Sequence, residues 1–152
     1  MADAVRTRRA SVADLDALVP LFDGYRVFYR QPSDRGLARA FLEERLERGE
    51  SIVFVAEAGA EALGFAQLYP SFSSARARRI YILNDLFVRP DVRRAGVARA
   101  LLDEAARFAR DEGAARLTLM TAIDNFAAQS VYEKAGWIRD EAFYVYNLSL
   151  VD

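Results

Sequence analysis

Apolar and polar positions cycle along this chain in blocks that predict alternating strands and helices. Val5, Arg6, Thr7 and Arg8 alternate and predict a short first strand. Ser11 followed by Asp14 has the form of a capping box, with Asp where Glu is usual, and opens a helix. Leu15, Leu18, Val19, Phe22, Tyr25 and Phe28 keep an apolar stripe at helical spacing, which Pro20 is expected to kink. After a break at 31–34, Ser33 can cap a second helix with the stripe Leu37, Phe41, Leu42 and Leu46, ending near Gly49. Residues 51–58 read as a strand, and 63–72 as its antiparallel partner across a turn near Gly59. Residues 80–88 follow as a third antiparallel strand, which Pro90 ends because proline has no amide hydrogen for a ladder.

The strongest helical pattern covers 96–111, with Val97, Leu101, Ala105 and Phe108 on one face and Gly113 as the stop. Residues 115–121 predict a strand parallel to 80–88, because a helix separates the two. Asp124 and Asn125 cap a last helix stopped by Gly136, and 144–150 read as a closing strand. The order β-α-α-β-β-β-α-β-α-β predicts one α+β domain over 1–152, a mixed and mostly antiparallel sheet flanked by helices. Two helices ahead of the sheet are a common place for a substrate lid. Their junction is aromatic: Phe28 suits the core, while Tyr25 and Tyr29 suit either packing or substrate contact.

Composition narrows the chemistry. A chain of 152 residues holds one real core rather than two, and a net charge of −1 gives no bulk support for a nucleic-acid surface. No apolar run is long enough to span a membrane, and the first residues lack a signal peptide's apolar middle. Without cysteine there is no disulfide, and the cytoplasm is the expected compartment. Without Cys or His, the usual zinc sites and Cys or Ser–His nucleophiles are excluded, and no metal is expected. Protons must be moved by Asp, Glu, Tyr, the single lysine Lys134, a chain terminus or water.

One stretch organises these pieces. The strand ending at Val88, the turn with Arg93 and Arg94, and the helix opening at Gly96 direct backbone amides and positive charge at one spot. The first turn of a helix leaves its amides unpaired and carries a positive partial charge, which attracts phosphate. The pattern therefore predicts an anion site, most simply for a pyrophosphate.

Three segments together resemble the GNAT superfamily of acetyl-coenzyme-A-dependent N-acetyltransferases. They are Leu86-Phe87-Val88-Arg89-Pro90, the loop Arg93-Arg94-Ala95-Gly96-Val97-Ala98, and Asn125 through Tyr132-Glu133-Lys134-Ala135-Gly136-Trp137. The resemblance implies that the loop amides, from Arg93 through Ala98, wrap the pyrophosphate of acetyl-CoA. Leu86, Phe87 and Val88 would bind the pantetheine arm and the acetyl carbonyl on a strand that splays from its neighbour. Asn125 and Ala128 would complete the cofactor site. Tyr132 takes the place of the family's general acid, which protonates the leaving thiolate.

Related small-amine enzymes often carry a glutamate base where this chain has Asn84, which cannot take a proton. Asn84 is then a substrate contact with Tyr25 and Tyr29, and the base falls to Asp85 or a water. In a regular strand Asp85 faces away; a bulge would re-aim it. Gly64 to Pro70 with Asn84 to Val88 is similar to a subgroup of fungal histone- and amino-acid-directed acetyltransferases. Some of its members dimerise through C-terminal strands, with which Phe143, Tyr144 and Tyr146 are compatible. The expected partner is a small-molecule or peptide amine, favoured to bear a carboxylate for Arg26, Arg30, Arg76, Arg78 and Arg79. The competing reading is a non-catalytic acyl-CoA-binding regulatory module.

Overall fold

β1 (Arg6–Arg9) runs into a single 3-10 turn that the predicted capping box closes. In the computed structural model, which describes residues 4–92 and 96–152, Ser11 Oγ accepts from Ala13 N at 3.3 Å. The Asp14 carboxylate accepts from Ser11 N at 2.8 Å. Helix α1 (Leu15–Phe28) continues through Pro20 without a break. Helix α2 (Arg35–Glu47) is capped by Asp34, whose carboxylate accepts from Leu37 N at 3.0 Å.

Ser33, the expected cap, serves the turn before it. Its hydroxyl donates at 2.6 Å to Asp23, which also accepts from Asp34 N at 2.8 Å. Asp23 is buried, so this carboxylate pins the end of α1 to the start of α2. The Ser33 hydroxyl, helped by the Asp34 amide, holds its pKa below the usual carboxylate range against the opposing effect of burial. Its stabilisation is therefore present above the unfolded-state pKa and lost as pH falls through the depressed value. Asp23→Ala is expected to cost about 2 kcal/mol by stranding the hydroxyl and the amide, lowering Tm by about 4–8 °C. Calorimetry at neutral pH and near pH 3 checks it: the gap between wild type and variant should narrow in acid.

The sheet contains β2 (Ile52–Ala58), β3 (Glu61–Ser73), β4 (Arg78–Val88) and β5 (Leu117–Thr118), in the order β1-β2-β3-β4-β5. All neighbours are antiparallel except β4–β5, where helix α3 (Val97–Asp111) makes the parallel crossover. The pleat of β2 sends Ile52 and Phe54 to one face and Val53 and Val55 to the other. The first face packs on Leu101, Leu102 and Ala105 of α3. The second packs on Leu18 and Phe22 of α1 and Leu42 of α2.

Two expectations fail at the C-terminal side. β5 is two residues long rather than seven, although helix α4 (Phe126–Lys134) follows it where expected, capped by Asn125. The predicted closing strand 144–150 forms no strand pairing among the described residues. Every residue from 138 to 152 is exposed, with Tyr144 and Tyr146 each 91% exposed. Alternation shows that a segment is able to pair, but pairing also needs an edge set beside it by the rest of the fold.

Candidate active site

The register of β3 against β4 slips once: Gln67 opposes Asp85, while the next residue, Leu68, opposes Leu83. Asn84 is the extra residue of a bulge. Its effect shows in the core, where Tyr81 and Leu83 face α3 but Leu86 and Val88 also face α3. The side-chain parity has flipped between them, so Asp85 shares the α1 face with Phe87 and Phe65. The bulge turns Asp85 toward the lid.

Asp85 is buried there, 1% exposed. Its carboxylate accepts from Gln67 Nε2 at 2.5 Å and from Asn84 Nδ2 at 2.8 Å. The Tyr25 hydroxyl donates to Asn84 O at 3.1 Å. Burial raises the pKa of Asp85, and the bonds from Asn84 and Gln67 oppose the rise. Tyr25 and Tyr69 are pushed well above the ordinary phenol value by burial first and by Asp85 second. Gln67 is the residue that the sequence reading left without a role. A glutamine on the core side of a strand otherwise made of Phe, Ala and Leu was the signal.

Residues 115–118 run along β4 from Arg79 to Ile82, and the β4–β5 ladder ends at Ile82–Thr118, before Leu86. Leu86, Phe87 and Val88 lie past that end and pair with Ala66, Phe65 and Gly64 of β3. The approach of β3 there is tight. A Cβ on Gly64 would sit 2.6 Å from the Phe87 carbonyl oxygen, and the Phe87 ring packs 3.0 Å from the Cβ position of Gly24 on α1.

α3 follows β4 in the chain. Gly96 takes φ +74°, a left-handed conformation that disfavours side chains, and contributes no cap. Among the described residues nothing lies within 4 Å of where its Cβ would project, and the first-turn amides of α3 lack partners within the helix, as at any helix start. Backbone donors at a positive helix end fit a phosphate. Arg93, Arg94 and Ala95 lie outside the described residues.

Asn125 caps α4 through its carboxamide oxygen, which accepts from Ala128 N at 3.2 Å. The amide nitrogen of Asn125 is a donor that a ligand could use. Tyr132 is half-buried on the α3-side core, its ring centroid 6.3 Å from that of Trp137. Burial raises its pKa and so does Tyr29, while a bond with Thr121 opposes them. Tyr29 in turn packs against Tyr25, with centroids 4.9 Å apart.

The arginines of the β3–β4 hairpin do not join this group. Arg79 stacks over Phe72 and Tyr81, and Arg78 donates to Gly113 O at 3.0 Å. Arg79 is six residues from Asp85 along β4, about 20 Å at the rise of a strand. Recognition of an acceptor carboxylate would therefore rest on Arg26 and Arg30 of the lid.

Known proteins place this arrangement. A curated relative, the uncharacterized N-acetyltransferase YhfO of Bacillus subtilis, is 48% identical over 143 residues, 94% of this chain and 96% of its own. A probable acetyltransferase of Haemophilus influenzae is 29% identical over 93% of this chain and 96% of its own. A solved structure of a probable acetyltransferase, 45% identical, superposes with a TM-score of 0.91 over 97% of this chain and 99% of its own. An aminoglycoside N-acetyltransferase solved with CoA shares the fold at 22% identity, with a TM-score of 0.80 over 96% of this chain and 95% of its own. These relatives lend no support to the narrower likeness to fungal histone- and amino-acid-directed enzymes. The acetyltransferase (GNAT) family model matches residues 18–137, and this chain belongs to that family of acetyl-CoA-dependent enzymes.

Proposed function

We propose that the chain moves the acetyl group of acetyl-CoA to a primary amine of a small molecule or peptide, by direct attack of the amine on the thioester. The observation that carries this reading is the bulge of β4 that turns Asp85 toward the Tyr25–Tyr29 pair, just past the end of the β4–β5 ladder at Ile82–Thr118.

When bound, acetyl-CoA supplies an activated thioester. The first-turn amides of α3, with Arg93, Arg94 and Ala95 ahead of them, hold its pyrophosphate. Leu86, Phe87 and Val88 run along its pantetheine arm, which Asn125 and Ala128 meet from α4. An amide donor of β4 near the acetyl carbonyl also steadies the negative charge that attack creates, usually a large term in acyl transfer. Tyr132 protonates the departing sulfur. Its raised pKa keeps the phenol protonated at neutral pH, so the proton is there when the thiolate forms.

A thiol-release assay with acetyl-CoA and a panel of amines tests this. Release that depends on the amine is the expected result. Tight binding of acetyl-CoA with no amine-dependent release would mark a non-catalytic acyl-CoA-binding module instead.

Two copies also pair through their C-terminal segments. Support comes from residues 138–152, which turn Ile138, Phe143, Tyr144, Val145, Tyr146, Leu148 and Leu150 to solvent on both faces. A long apolar edge of this kind is normally covered by another chain. The superposed structure spans 97% of this chain and so reaches into the same segment. Light scattering is expected to give about twice the 17.1 kDa chain mass. A monomer at tens of micromolar would remove the pairing.

A further inference from the structure

Asn84, the extra residue of the β4 bulge, is exposed, whereas its neighbour Asp85 is buried. Two bonds fix how Asn84 sits. The Tyr25 hydroxyl donates to its main-chain oxygen at 3.1 Å, and its own Nδ2 donates to Asp85 Oδ1 at 2.8 Å. An ionised carboxylate only accepts, so it draws the nitrogen end of the carboxamide inward. The oxygen is the other branch of the same planar group and is left on the outer side. We propose that this oxygen, Asn84 Oδ1, accepts a hydrogen from the acceptor amine and so aims the nitrogen lone pair. Asp85 and Gln67 behind it are then positioning residues, and water rather than Asp85 takes the proton. This deepens the function proposed above and rests on it.

Gln67 shows how firmly the carboxylate sets these orientations. Its Nε2 donates to Asp85 Oδ2 at 2.5 Å, although that leaves its Oε1 buried with no partner among the described residues. Each Asp85 oxygen thus holds one amide, Gln67 in the core and Asn84 at the surface. The negative charge behind the Asn84 carboxamide polarises it and makes its oxygen a stronger acceptor. The same charge attracts a cationic amine. Position also suits the role, because Asn84 stands between Ile82, where the β4–β5 ladder ends, and Leu86.

The step balances. An ammonium loses one proton to water and becomes a neutral amine with two hydrogens and one lone pair. One hydrogen is shared with Asn84 Oδ1, and the lone pair forms the N–C bond as the C–S bond breaks. Sulfur takes the Tyr132 proton. The surplus proton on nitrogen passes to water, and water restores Tyr132. Asn84 keeps its own hydrogens throughout. The titratable and charged groups around Asp85 are Tyr69 of β3 and Tyr25 of α1, with Tyr29 packed against Tyr25 and Arg45 of α2 acting on Tyr69.

The experiment measures kcat/KM from about pH 7 to 9.5 for wild type, Asn84→Ala, Asp85→Asn and the double variant. Two acceptors from the amine panel are used, one with its own pKa inside that range and one above it. Stabilisation by acetyl-CoA, read on each variant, reports an intact fold and cofactor site. Asn84→Ala should lose about tenfold in kcat/KM at every pH, the worth of one hydrogen bond to the reacting nitrogen. Asp85→Asn should lose no more than that, and the double variant no more than Asn84→Ala, because Asp85 acts through Asn84. The wild-type profile should break at the pKa of the first amine and keep rising for the second. That measurement needs no variant and stands even where a variant fails to fold. Three results would each overturn the proposal: an Asn84→Ala within twofold of wild type, losses that multiply in the double variant, or a wild-type break at one pH for both amines. So would an Asp85→Asn loss of about 10²-fold at pH 7 that vanishes as pH rises, the mark of a general base. A wild type that releases no thiol with any amine would remove the function itself, a result distinct from these.

Discussion

Tyr132→Phe is expected to lower kcat by about 10²-fold while leaving acetyl-CoA binding nearly unchanged. The substitution keeps the ring that packs beside Trp137 on the α3-side core, so the fold has little reason to respond. What disappears is a proton that burial and Tyr29 hold on the phenol throughout the neutral range. Loss of an interaction made only as sulfur departs should lower kcat and kcat/KM together. Steady-state kinetics beside a titration of acetyl-CoA separates the cases. Turnover within about twofold of wild type would mean that the tyrosine is structural or that thiol departure is not limiting.

Gly96→Val is expected to abolish the thermal stabilisation that acetyl-CoA confers. A ligand at a hundred times its Kd stabilises the native state by about 2.7 kcal/mol. For a domain of this size that is a rise of about 5–10 °C in Tm. The left-handed φ of +74° at Gly96 is the first reason: a β-branched residue would leave that conformation and rotate the first amides of α3 away from their common target. The space beyond is the second: among the described residues nothing lies within 4 Å of the Cβ position, so the added methyl groups would take up room at the helix start that the phosphate needs. Leaving the left-handed region costs only about 1–2 kcal/mol, so the variant should still fold. A melting curve with and without acetyl-CoA is sufficient. An undiminished shift would end the assignment of this helix start to the pyrophosphate.

Local chemistry made much of this protein readable before any coordinates. Residues 96–111 form a helix because Val97, Leu101 and Ala105 repeat at its period, and Gly96 and Gly113 bound it through left-handed conformations. The Ser11–Asp14 box, the antiparallel hairpins and the Asn125 cap likewise depend on residues a few positions apart. Other features belong to contacts that no local pattern encodes. Ser33 has the right chemistry for a cap, yet buried Asp23, ten residues earlier, claims its hydroxyl. Arg78 and Arg79 look available in the sequence but are held by Gly113 and by the Phe72 and Tyr81 rings. The segment 144–150 has the residues of a strand, but that sets a capacity to pair and not the presence of an edge. The direction of Asp85 depends on one extra residue opposite Gln67. Whether a strand bulges is settled by the fit of its register to both neighbours, and only the folded sheet supplies both.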